Sequence, residues 1–432
     1  MGDIAVLILV NKKSPRLKYV FDELLIRRMG LEYEFTIDVS FFLNHSGSKF
    51  SYGVTVQNEL FFDAVPLLWE ATIEQDTPQV VIDKGVKGLF PVSNGALSFD
   101  LFASAFYLLS RYEEYLPSQR DKHRRFLAEA SISYKNDFLR KPVVDQYAHL
   151  IASKLQVKHI ESKSNLLLTI DIDNAYAYCY KGFLRTLGSL VKKILNLKFK
   201  TFVTHLLVLI GFKKDKYDSY DKMDAIHKKY GLKPIYFYLV GSNGGVDKNL
   251  NIKLKRSIDL LNRLKKEGDI ALHPSYASNL DVSILKKEKK SLENVLGEMV
   301  TKSRQHYLML EFPKTYQNLI EVGIRDDYTM GYHSQVGYRA GTAKPFYFFN
   351  LEKNKKENLQ IHPFYVMDTT LQKYLKFSSG EALVYLKENM SNTDCTLLFH
   401  NESIGGEDKW TGWEDFYEGL ISQIKKGISK KS

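Results

Sequence analysis

The stretch Leu-Leu-Leu-Thr-Ile-Asp-Ile-Asp-Asn-Ala-Tyr, residues 166–176, decides the fold of this chain. An apolar run that leads directly into Asp171 and Asp173 is typical of a buried parallel strand whose carboxyl end opens towards ligand-binding loops. Residues two apart in a strand point to the same side, so we expect both carboxylates in one pocket. Two carboxylates that close need a metal ion, a shared proton or separate roles. The alternative is a strand end followed by an Asp/Asn turn, because an isolated Asp-x-Asp is a weak motif.

Three further segments place polar chemical groups beside apolar strands. Ile-Ala-Leu leads to His273, and an apolar run that begins at Cys395 leads to His400. Arg304, His306 and Tyr307 follow a helix rich in Lys and Glu. Because the carboxyl ends of parallel strands share one edge of a sheet, these groups are predicted to gather near the acid pair.

The order of these motifs is similar to that of a known family. An acid pair, then a histidine, then Arg-x-x-Tyr and a late Leu-x-His resembles the polysaccharide deacetylases, the NodB-homology carbohydrate esterases, over about residues 164–405. The resemblance implies that Asp171 is the catalytic base and that His400 is the general acid. It also implies that Asp173 and His273 bind a divalent metal ion.

The chain departs from the family pattern at two positions. The family's second motif has two histidines four residues apart, but Ala277 stands at the second position. In the third motif, Arg-x-Pro-Tyr, His306 replaces proline between Arg304 and Tyr307. A catalytic divalent ion usually has three protein ligands and an open position, so we predict that His306 is the third ligand. The alternatives are a water molecule or Ser275 as ligand, with His306 in a packing role.

The predicted chemistry is hydrolysis of an acetyl group by metal-activated water. A metal ion, expected to be zinc with cobalt or nickel as alternatives, lowers the pKa of bound water from about 15.7 to about 7. That is on the order of 12 kcal/mol of nucleophile activation. An arginine near Asp171 is expected to hold it ionised, and Arg304 and Arg339 are the candidates. The glycines around Arg339, in residues 337–342, allow tight turns near a substrate or make an ordinary hairpin loop.

Aromatic and acidic residues downstream are candidates for binding a sugar. Sugars stack on aromatic faces, although aromatic clusters more often belong to a core. The candidates for substrate binding are Tyr276, Tyr307, Tyr338, Asp327 and Asp368.

The sequence thus predicts a hydrolase that removes N-acetyl or O-acetyl groups from a glycan or a lipid-linked saccharide. Because Ala277 removes a ligand, a catalytically inactive carbohydrate-binding pseudoenzyme stays an alternative. A different hydrolase on the same barrel is the third reading.

The length of the chain and its pattern of strands and helices predict two α/β domains. A chain of 432 residues with 44% hydrophobic content is long enough for two cores. We predict a smaller α/β domain of unassigned role over residues 1–160 and a distorted (β/α) barrel of the deacetylase type over residues 161–432. The barrel strands are predicted at residues 166–172, 233–240, 269–272, 305–310, 322–325, 359–366 and 396–399. A long helix is predicted over residues 97–116, with Glu113 and Glu114 at its solvated end.

A basic, apolar insertion is predicted at about residues 181–220. Its apolar run is shorter than the roughly 20 residues that span a bilayer. We expect a helical hairpin packed on the barrel, and the alternative is a helical pair lying on an anionic membrane surface.

Composition limits the partners and the compartment. The net charge of +11 favours acidic partners, and no nucleic-acid motif accompanies the scattered lysines, so nucleic acid is not expected. Cys179 and Cys395 form no disulfide framework, which is typical of a reducing compartment. The apolar run at residues 4–10 has no basic region before it, so we predict a cytoplasmic protein, with peripheral membrane contact as the alternative.

Overall fold

The computed structural model describes residues 6–75, 77–157, 166–241, 244–390 and 395–431. The domain boundary predicted at residue 160 lies outside these residues. The described strands are β1 Val6–Val10, β2 Tyr33–Thr36, β3 Lys49–Tyr52, β4 Phe61–Phe62, β5 Val80–Asp83, β6 Val86–Leu89, β7 Leu166–Ile172, β8 Ile235–Leu239, β9 Asp269–His273, β10 Lys302–Ser303, β11 Asp326–Asp327, β12 Phe346–Asn350, β13 Lys355–Ile361, β14 Val366–Met367 and β15 Cys395–His400.

The described α-helices are α1 Pro15–Phe21, α2 Val39–Asn44, α3 Leu101–Leu109, α4 Ile132–Lys135, α5 Val143–Leu155, α6 Phe183–Leu195, α7 Phe199–Leu209, α8 Tyr220–Tyr230, α9 Lys255–Glu267, α10 Val282–Leu296, α11 Lys314–Glu321, α12 Ser379–Asn389, α13 Asn401–Ile404 and α14 Trp413–Lys431.

The larger sheet has the strand order β12-β13-β11-β10-β9-β8-β7-β15-β14. All neighbouring strands are parallel except β12 and β13, which pair antiparallel. All of β8 is buried, and so is β7 apart from one partly exposed residue, as their continuous apolar runs predict for strands covered on both faces. The α/β prediction is therefore confirmed.

A short connection joins β13, next to one end of this sheet, to β14 at the other end. β13 pairs with β11 and β14 pairs with β15, yet β13 and β14 follow one another in the chain. The connection is hydrogen-bonded on both sides, from the Phe364 amide to the Met330 carbonyl and from the Tyr365 amide to the Thr396 carbonyl, each at 3.0 Å. Within the described residues no ladder pairs β13 with β14.

Several of the sheet predictions need correction. The strand predicted at residues 322–325 is wrong, because β11 is Asp326–Asp327. The strand predicted at residues 359–366 is two strands, since β13 ends at Ile361 and β14 begins at Val366. The strand predicted at residues 305–310 is wrong, because β10 ends at Ser303 and His306–Leu308 forms a 3-10 turn. Tyr307 and Leu308 have φ angles of 63° and 53°, which a strand does not accommodate. The sequence predicts no strand at β12, Phe346–Asn350.

The helix predicted over residues 97–116 is shorter than expected. Asp100 caps α3 by accepting a hydrogen bond from the Ala103 amide at 2.9 Å, and Arg111 leaves the helical region at a φ of 54°. Glu113 and Glu114, predicted at a solvated end, are instead buried.

The N-terminal region packs directly on the larger sheet. Its own parallel sheet has the order β2-β1-β3-β4. Tyr19 of α1 and Phe106 of α3 contact Phe349 of β12, with ring centroids 5.0 and 5.1 Å apart. Residues of both regions belong to one continuous hydrophobic core, so the region forms one folded body with the larger sheet.

A buried charge network also joins the two regions, and we call it the buried joint. Glu114 Oε1 accepts hydrogen bonds from Arg111 Nε and from Arg339 Nε, both at 2.8 Å. Glu113 accepts from Arg111 Nη2 and from the Ile132 amide, also at 2.8 Å. Burial acts to raise the pKa of Glu114, but the two guanidinium groups outweigh it and lower that pKa.

The predicted insertion forms a helical hairpin that hardly packs. α6 buries none of its residues, and α7 buries His205 and Val208. The expectation that the hairpin packs on the barrel is therefore wrong for most of its surface. Among the described residues, no helix combines the length and apolar character needed to cross a membrane.

Candidate active site

The carboxyl ends of β7, β9 and β15 meet at one edge of the larger sheet. β7 and β15 are in register with His400 opposite Asp171, and the β8–β9 pair places Leu239 opposite His273. A cleft of about 440 Å³ opens at this edge. Its lining includes Arg125, Asp171, Asp173, Asn174, Tyr217, Lys248, His273, His306, Tyr307, His333, Lys373, Tyr374, His400, Glu402 and Lys409.

Three side chains from separate elements converge in the cleft. Asp173 Oδ1 lies 3.0 Å from His273 Nε2, and Asp173 Oδ2 lies 3.4 Å from His306 Nε2. The three ligand atoms all lie within 4.8 Å of one another. The structure therefore brings together the three residues that the sequence suggested as metal ligands, including His306.

Both imidazoles are held through their other ring nitrogen. His273 Nδ1 lies 2.5 Å from the Arg304 carbonyl oxygen, and His306 Nδ1 lies 2.6 Å from Asp247 Oδ1. These contacts direct each Nε2 towards Asp173, which is how metal-binding histidines are usually oriented. Sequence reasoning missed Asp247, since it belongs to no spaced motif and follows a glycine-rich turn.

The donor set fits a metal ion. Asp173 Oδ1 is buried and, within the described residues, accepts no hydrogen bond, since its 3.0 Å contact with His273 Nε2 lacks hydrogen-bond geometry. Two imidazole nitrogens and one carboxylate match the ligands of a catalytic zinc ion. Burial acts to raise the pKa of Asp173, but His306 and His273 hold it well below its usual value. Ser275, the alternative ligand, instead accepts a hydrogen bond from the Ser278 amide at 3.2 Å.

The protonation of His306 follows from its two carboxylate neighbours. Burial acts to lower the pKa of this imidazole, but Asp173 and Asp247 raise it to about 9. A metal ion that binds Nε2 must therefore displace a proton there.

Asp171 lies beside the three-residue cluster and is held by Arg304. Arg304 donates from Nη1 to Asp171 Oδ1 at 2.8 Å, from Nη2 to Thr169 Oγ1 at 2.7 Å and from Nε to the Tyr328 carbonyl at 2.9 Å. Asp171 Oδ2 is 3.8 Å from His273 Nε2. Because Arg304 is fully buried and anchored at three points, it fixes the orientation of the carboxylate.

His400 faces the cluster from β15, the strand next to β7. Its Nε2 lies 3.7 Å from Asp173 Oδ2, and its Nδ1 lies 2.8 Å from Asp368 Oδ1. Burial acts to lower the pKa of His400, but the charge and hydrogen bond of Asp368 raise it to about 10. The imidazole therefore carries a proton at neutral pH. Asp368, predicted to bind substrate, is wrong in that role, because it is buried and positions His400.

Three other predicted site residues lie outside the cleft. Arg339 does not reach Asp171, because it belongs to the buried joint with Glu114. Tyr338 is buried against Tyr365, with ring centroids 4.8 Å apart. Asp327 is fully buried and accepts hydrogen bonds from Ser303 and Thr329.

The glycines beside Arg339 serve packing between the two regions. A Cβ atom on Gly337 would lie 2.5 Å from the Leu139 carbonyl oxygen. The backbone amide of Tyr338 donates to that same oxygen at 2.8 Å. The predicted turn is therefore real, but it contacts the N-terminal region and not the cleft.

Of the two remaining tyrosines, Tyr307 lines the cleft and Tyr276 packs on Tyr307, with ring centroids 5.6 Å apart. Arg125, from the N-terminal region, forms part of the cleft wall. The Tyr307 carbonyl accepts a hydrogen bond from Arg125 Nη1 at 2.8 Å. The Tyr276 hydroxyl is 3.1 Å from His123 Nδ1. Sequence reasoning missed Arg125 and His123, since nothing in the sequence shows that a loop so far upstream reaches this edge.

A larger cleft, of about 830 Å³, lies within the N-terminal region. Among the described residues, both groups of His, Cys, Asp and Glu that could hold a metal ion lie in the smaller cleft. The smaller cleft is therefore the candidate active site, because it holds the residues that could bind a metal ion.

Comparison with known proteins gives one family match and a set of structural similarities. Residues 6–160, less than half of the chain, match a family of unknown function, DUF7033. No curated protein matches the sequence.

Several solved structures are similar to this chain at low identity and low TM-score. A candidate polysaccharide deacetylase from Mycobacterium smegmatis is 12% identical with a TM-score of 0.39, and the match covers 63% of this chain and 93% of that one. PuuE allantoinase is 12% identical with a TM-score of 0.39, and the match covers 60% of this chain and 84% of that one. A carbohydrate esterase family 4 pseudoenzyme from Bacillus anthracis is 10% identical with a TM-score of 0.32, and the match covers 61% of this chain and 62% of that one. Similarities this low assign neither an activity nor a substrate to this chain.

Proposed function

We propose that this protein is a metal-dependent hydrolase that removes an N-acetyl or O-acetyl group from a glycan or a lipid-linked saccharide. The observation that carries the proposal is the cluster of Asp173, His273 and His306. Two imidazole nitrogens and a buried carboxylate oxygen without a hydrogen bond lie within 4.8 Å of one another. A divalent ion, expected to be zinc, would supply activated water and polarise the acetyl carbonyl.

The other charged residues of the cleft have roles that follow from their contacts. Asp171 takes the proton of the attacking water, and Arg304 holds its carboxylate in place through the 2.8 Å ion pair. His400, protonated at neutral pH because of Asp368, donates a proton to the leaving nitrogen or oxygen. Each proton transfer by a positioned side chain is worth about 10²- to 10⁴-fold in rate.

The cleft also suits a saccharide. Its volume of about 440 Å³ lies in the range of small-ligand sites. Tyr307 and Tyr374 offer aromatic faces beside the cluster, and Arg125 and Lys373 offer donors for sugar hydroxyls. Substrate recognition in this proposal therefore uses both regions of the chain.

The proposal predicts about one metal ion per chain. Metal content is measured by plasma mass spectrometry after loading with zinc, cobalt or nickel, in wild type and in Asp173→Ala and His306→Ala. Both variants are expected to lose the ion. His333→Ala is the matched control, because His333 lines the same cleft without joining the cluster.

Activity is measured as acetate released from N-acetylglucosamine oligomers and from a chromogenic acetyl ester. Acetate release that requires the loaded metal supports the proposal. Metal binding with saccharide binding and no acetate release favours the carbohydrate-binding pseudoenzyme. Failure to retain any of the three metals rules out the mechanism.

A further inference from the structure

The hairpin formed by residues 181–214, which we call the basic hairpin, exposes an unusual amount of apolar surface. Of the 26 large hydrophobic side chains that are exposed among the described residues, 14 lie between Phe183 and Phe212. Phe183, Leu184 and Phe212 are 80%, 83% and 84% exposed. Single exposed apolar residues are common, but a contiguous patch beyond roughly 300–600 Å² marks a surface that something else covers.

The exposed side chains form a continuous stripe on each helix. At about 100° per residue, the six exposed apolar residues of α6 fall within an arc of about 120°. They are Phe183, Leu184, Leu187, Val191, Ile194 and Leu195.

α7 shows the same arrangement. The exposed apolar residues of α7 and its C-cap fall within an arc of about 160°. They are Phe199, Val203, Leu206, Leu207, Leu209 and Ile210. The buried residues of α7, His205 and Val208, lie on the opposite side, where His205 stacks on Tyr178 at 4.4 Å between ring centroids. Both helices therefore turn an apolar face away from the protein.

The charge of the basic hairpin has a single sign. Residues 181–214 contain eight Lys or Arg and no Asp or Glu. Lys192 and Lys198 are exposed and take part in none of the described ion pairs. A second copy of the same face would bring two strongly positive surfaces together, which opposes self-association. The complementary partner is apolar and negatively charged.

The basic hairpin starts at the rim of the candidate active site. Lys181 Nζ donates to Asn174 Oδ1, and Arg185 Nη2 donates to the Lys248 carbonyl at 3.0 Å. Asn174 and Lys248 both line the cleft. A surface that binds the hairpin therefore lies next to the cleft opening.

We propose that the basic hairpin is a membrane-docking element that inserts its two apolar stripes into the headgroup region of an anionic bilayer. Amphipathic helices with basic residues beside an apolar face bind in this way without crossing the bilayer. The lysines supply attraction to anionic lipid, which acts within about one Debye length of the surface. This docking does not depend on the proposed hydrolase activity.

The test is flotation of the full chain with vesicles of phosphatidylcholine alone or mixed with phosphatidylglycerol. Wild type is expected to bind the anionic vesicles at least about tenfold more tightly, and high salt should weaken this binding. Leu184→Asp with Phe212→Asp, and separately Lys192→Glu with Lys198→Glu, should each reduce binding at least about tenfold. All four side chains are exposed, so thermal unfolding is expected to stay unchanged.

Matched controls alter similar residues elsewhere. Ile37→Asp with Met299→Asp changes two other exposed apolar residues, and Lys228→Glu with Lys253→Glu changes two other exposed lysines. Both control pairs should leave vesicle binding as in wild type. The proposal would be overturned if the control pairs lost vesicle binding to the same extent as the hairpin variants. It would equally be overturned if wild type bound both kinds of vesicle equally or bound neither. It would also be overturned by a stable dimer in solution that Leu184→Asp with Phe212→Asp converts to a monomer.

Discussion

The buried joint and the candidate active site use the same residue types in opposite ways. In the joint, Arg111 and Arg339 enclose Glu114, and both carboxylate oxygens of Glu114 accept hydrogen bonds. In the cleft, Asp173 is surrounded by imidazoles, yet its buried Oδ1 accepts no hydrogen bond from the described residues. Both are charged clusters at a junction of several elements.

The difference teaches how to separate a structural charge from a functional one. A buried charge whose hydrogen bonds are complete has no capacity for a ligand and serves to hold elements together. A buried oxygen left without a partner costs free energy, and a bound ion can recover it. Arg304 and Arg339 illustrate this. The sequence predicts the same role for both, but Arg304 holds Asp171 in the cleft and Arg339 holds Glu114 in the joint.

The largest expected effect tests the cleft. Asp171→Asn should lower acetate release about 10²- to 10⁴-fold, because the amide cannot take the proton from water. Metal content should stay near wild type if the ion is held by Asp173, His273 and His306. Loss of the ion would instead assign it to the second possible group, Asp171, Asp173 and His400. Glu402→Gln, a change at the cleft rim, is the control and should change the rate of acetate release by no more than about a few fold. Activity of Asp171→Asn close to wild type would remove Asp171 as the base.

The second effect tests the joint. Glu114→Gln should lower the free energy of unfolding by about 3 kcal/mol, because it leaves Arg111 and Arg339 buried with an excess of positive charge. Denaturant titration measures the change. Glu298→Gln, which removes one partner of an exposed ion pair with Lys265, should cost less than about 1 kcal/mol. Equal effects of the two variants would contradict the structural role of the joint.

The third effect is on the pH dependence of stability, and it depends on a buried histidine that lies outside both the joint and the cleft. His227 lies 2.6 Å from the Tyr417 hydroxyl, and burial lowers its pKa from 6.5 to about 4. Below pH 6.5 the unfolded chain binds a proton that the folded chain does not. Stability should therefore fall as the pH drops from 6.5 to about 4, by on the order of 3 kcal/mol.

His227→Gln should remove this part of the pH dependence. Denaturant titrations of wild type and variant, each at neutral pH and near pH 4.5, measure how much unfolding free energy each protein loses between the two pH values. An equal loss in the two proteins would show that His227 has the same pKa in the folded and the unfolded chain.

The smallest effect tests a positioning residue of the cleft. Asp247→Asn should weaken metal binding about 10- to 100-fold, because Asp247 orients His306 through the 2.6 Å contact to Nδ1. Competition with a chelator measures the affinity. Asp326→Asn, at an acid that contacts His362 outside the cleft, should leave it unchanged. An unaltered affinity in Asp247→Asn would show that His306 needs no support from this carboxylate.

Much of the larger sheet could be predicted from local pattern. β7 lies at its predicted bounds, and β8, β9 and β15 differ from theirs by one or two residues, since continuous apolar runs mark buried parallel strands. The weak strands were harder. β10 and β11 have two residues each, so they carry no periodic signal, and the prediction at residues 305–310 missed β10.

The candidate site was predictable where a side chain directly follows a strand. Asp171, Asp173, His273 and His400 all lie at strand ends, so topology alone brings them to one edge. Asp247, Arg125 and Asp368 were missed or given the wrong role, because their function depends on which distant group they contact. Sequence separation conceals such partners.

The sequence by itself determined the α/β class, the strand ends that carry the acids and histidines, and the basic, apolar character of residues 181–214. These follow from hydrophobic periodicity and composition, which are local properties of the chain. Tertiary structure alone decided that Arg304 and not Arg339 holds Asp171, that His306 faces Asp173, and that the apolar stripes of the hairpin stay uncovered. Pairing, burial and exposure depend on contacts between residues far apart in the chain, so the pattern of any one segment cannot specify them.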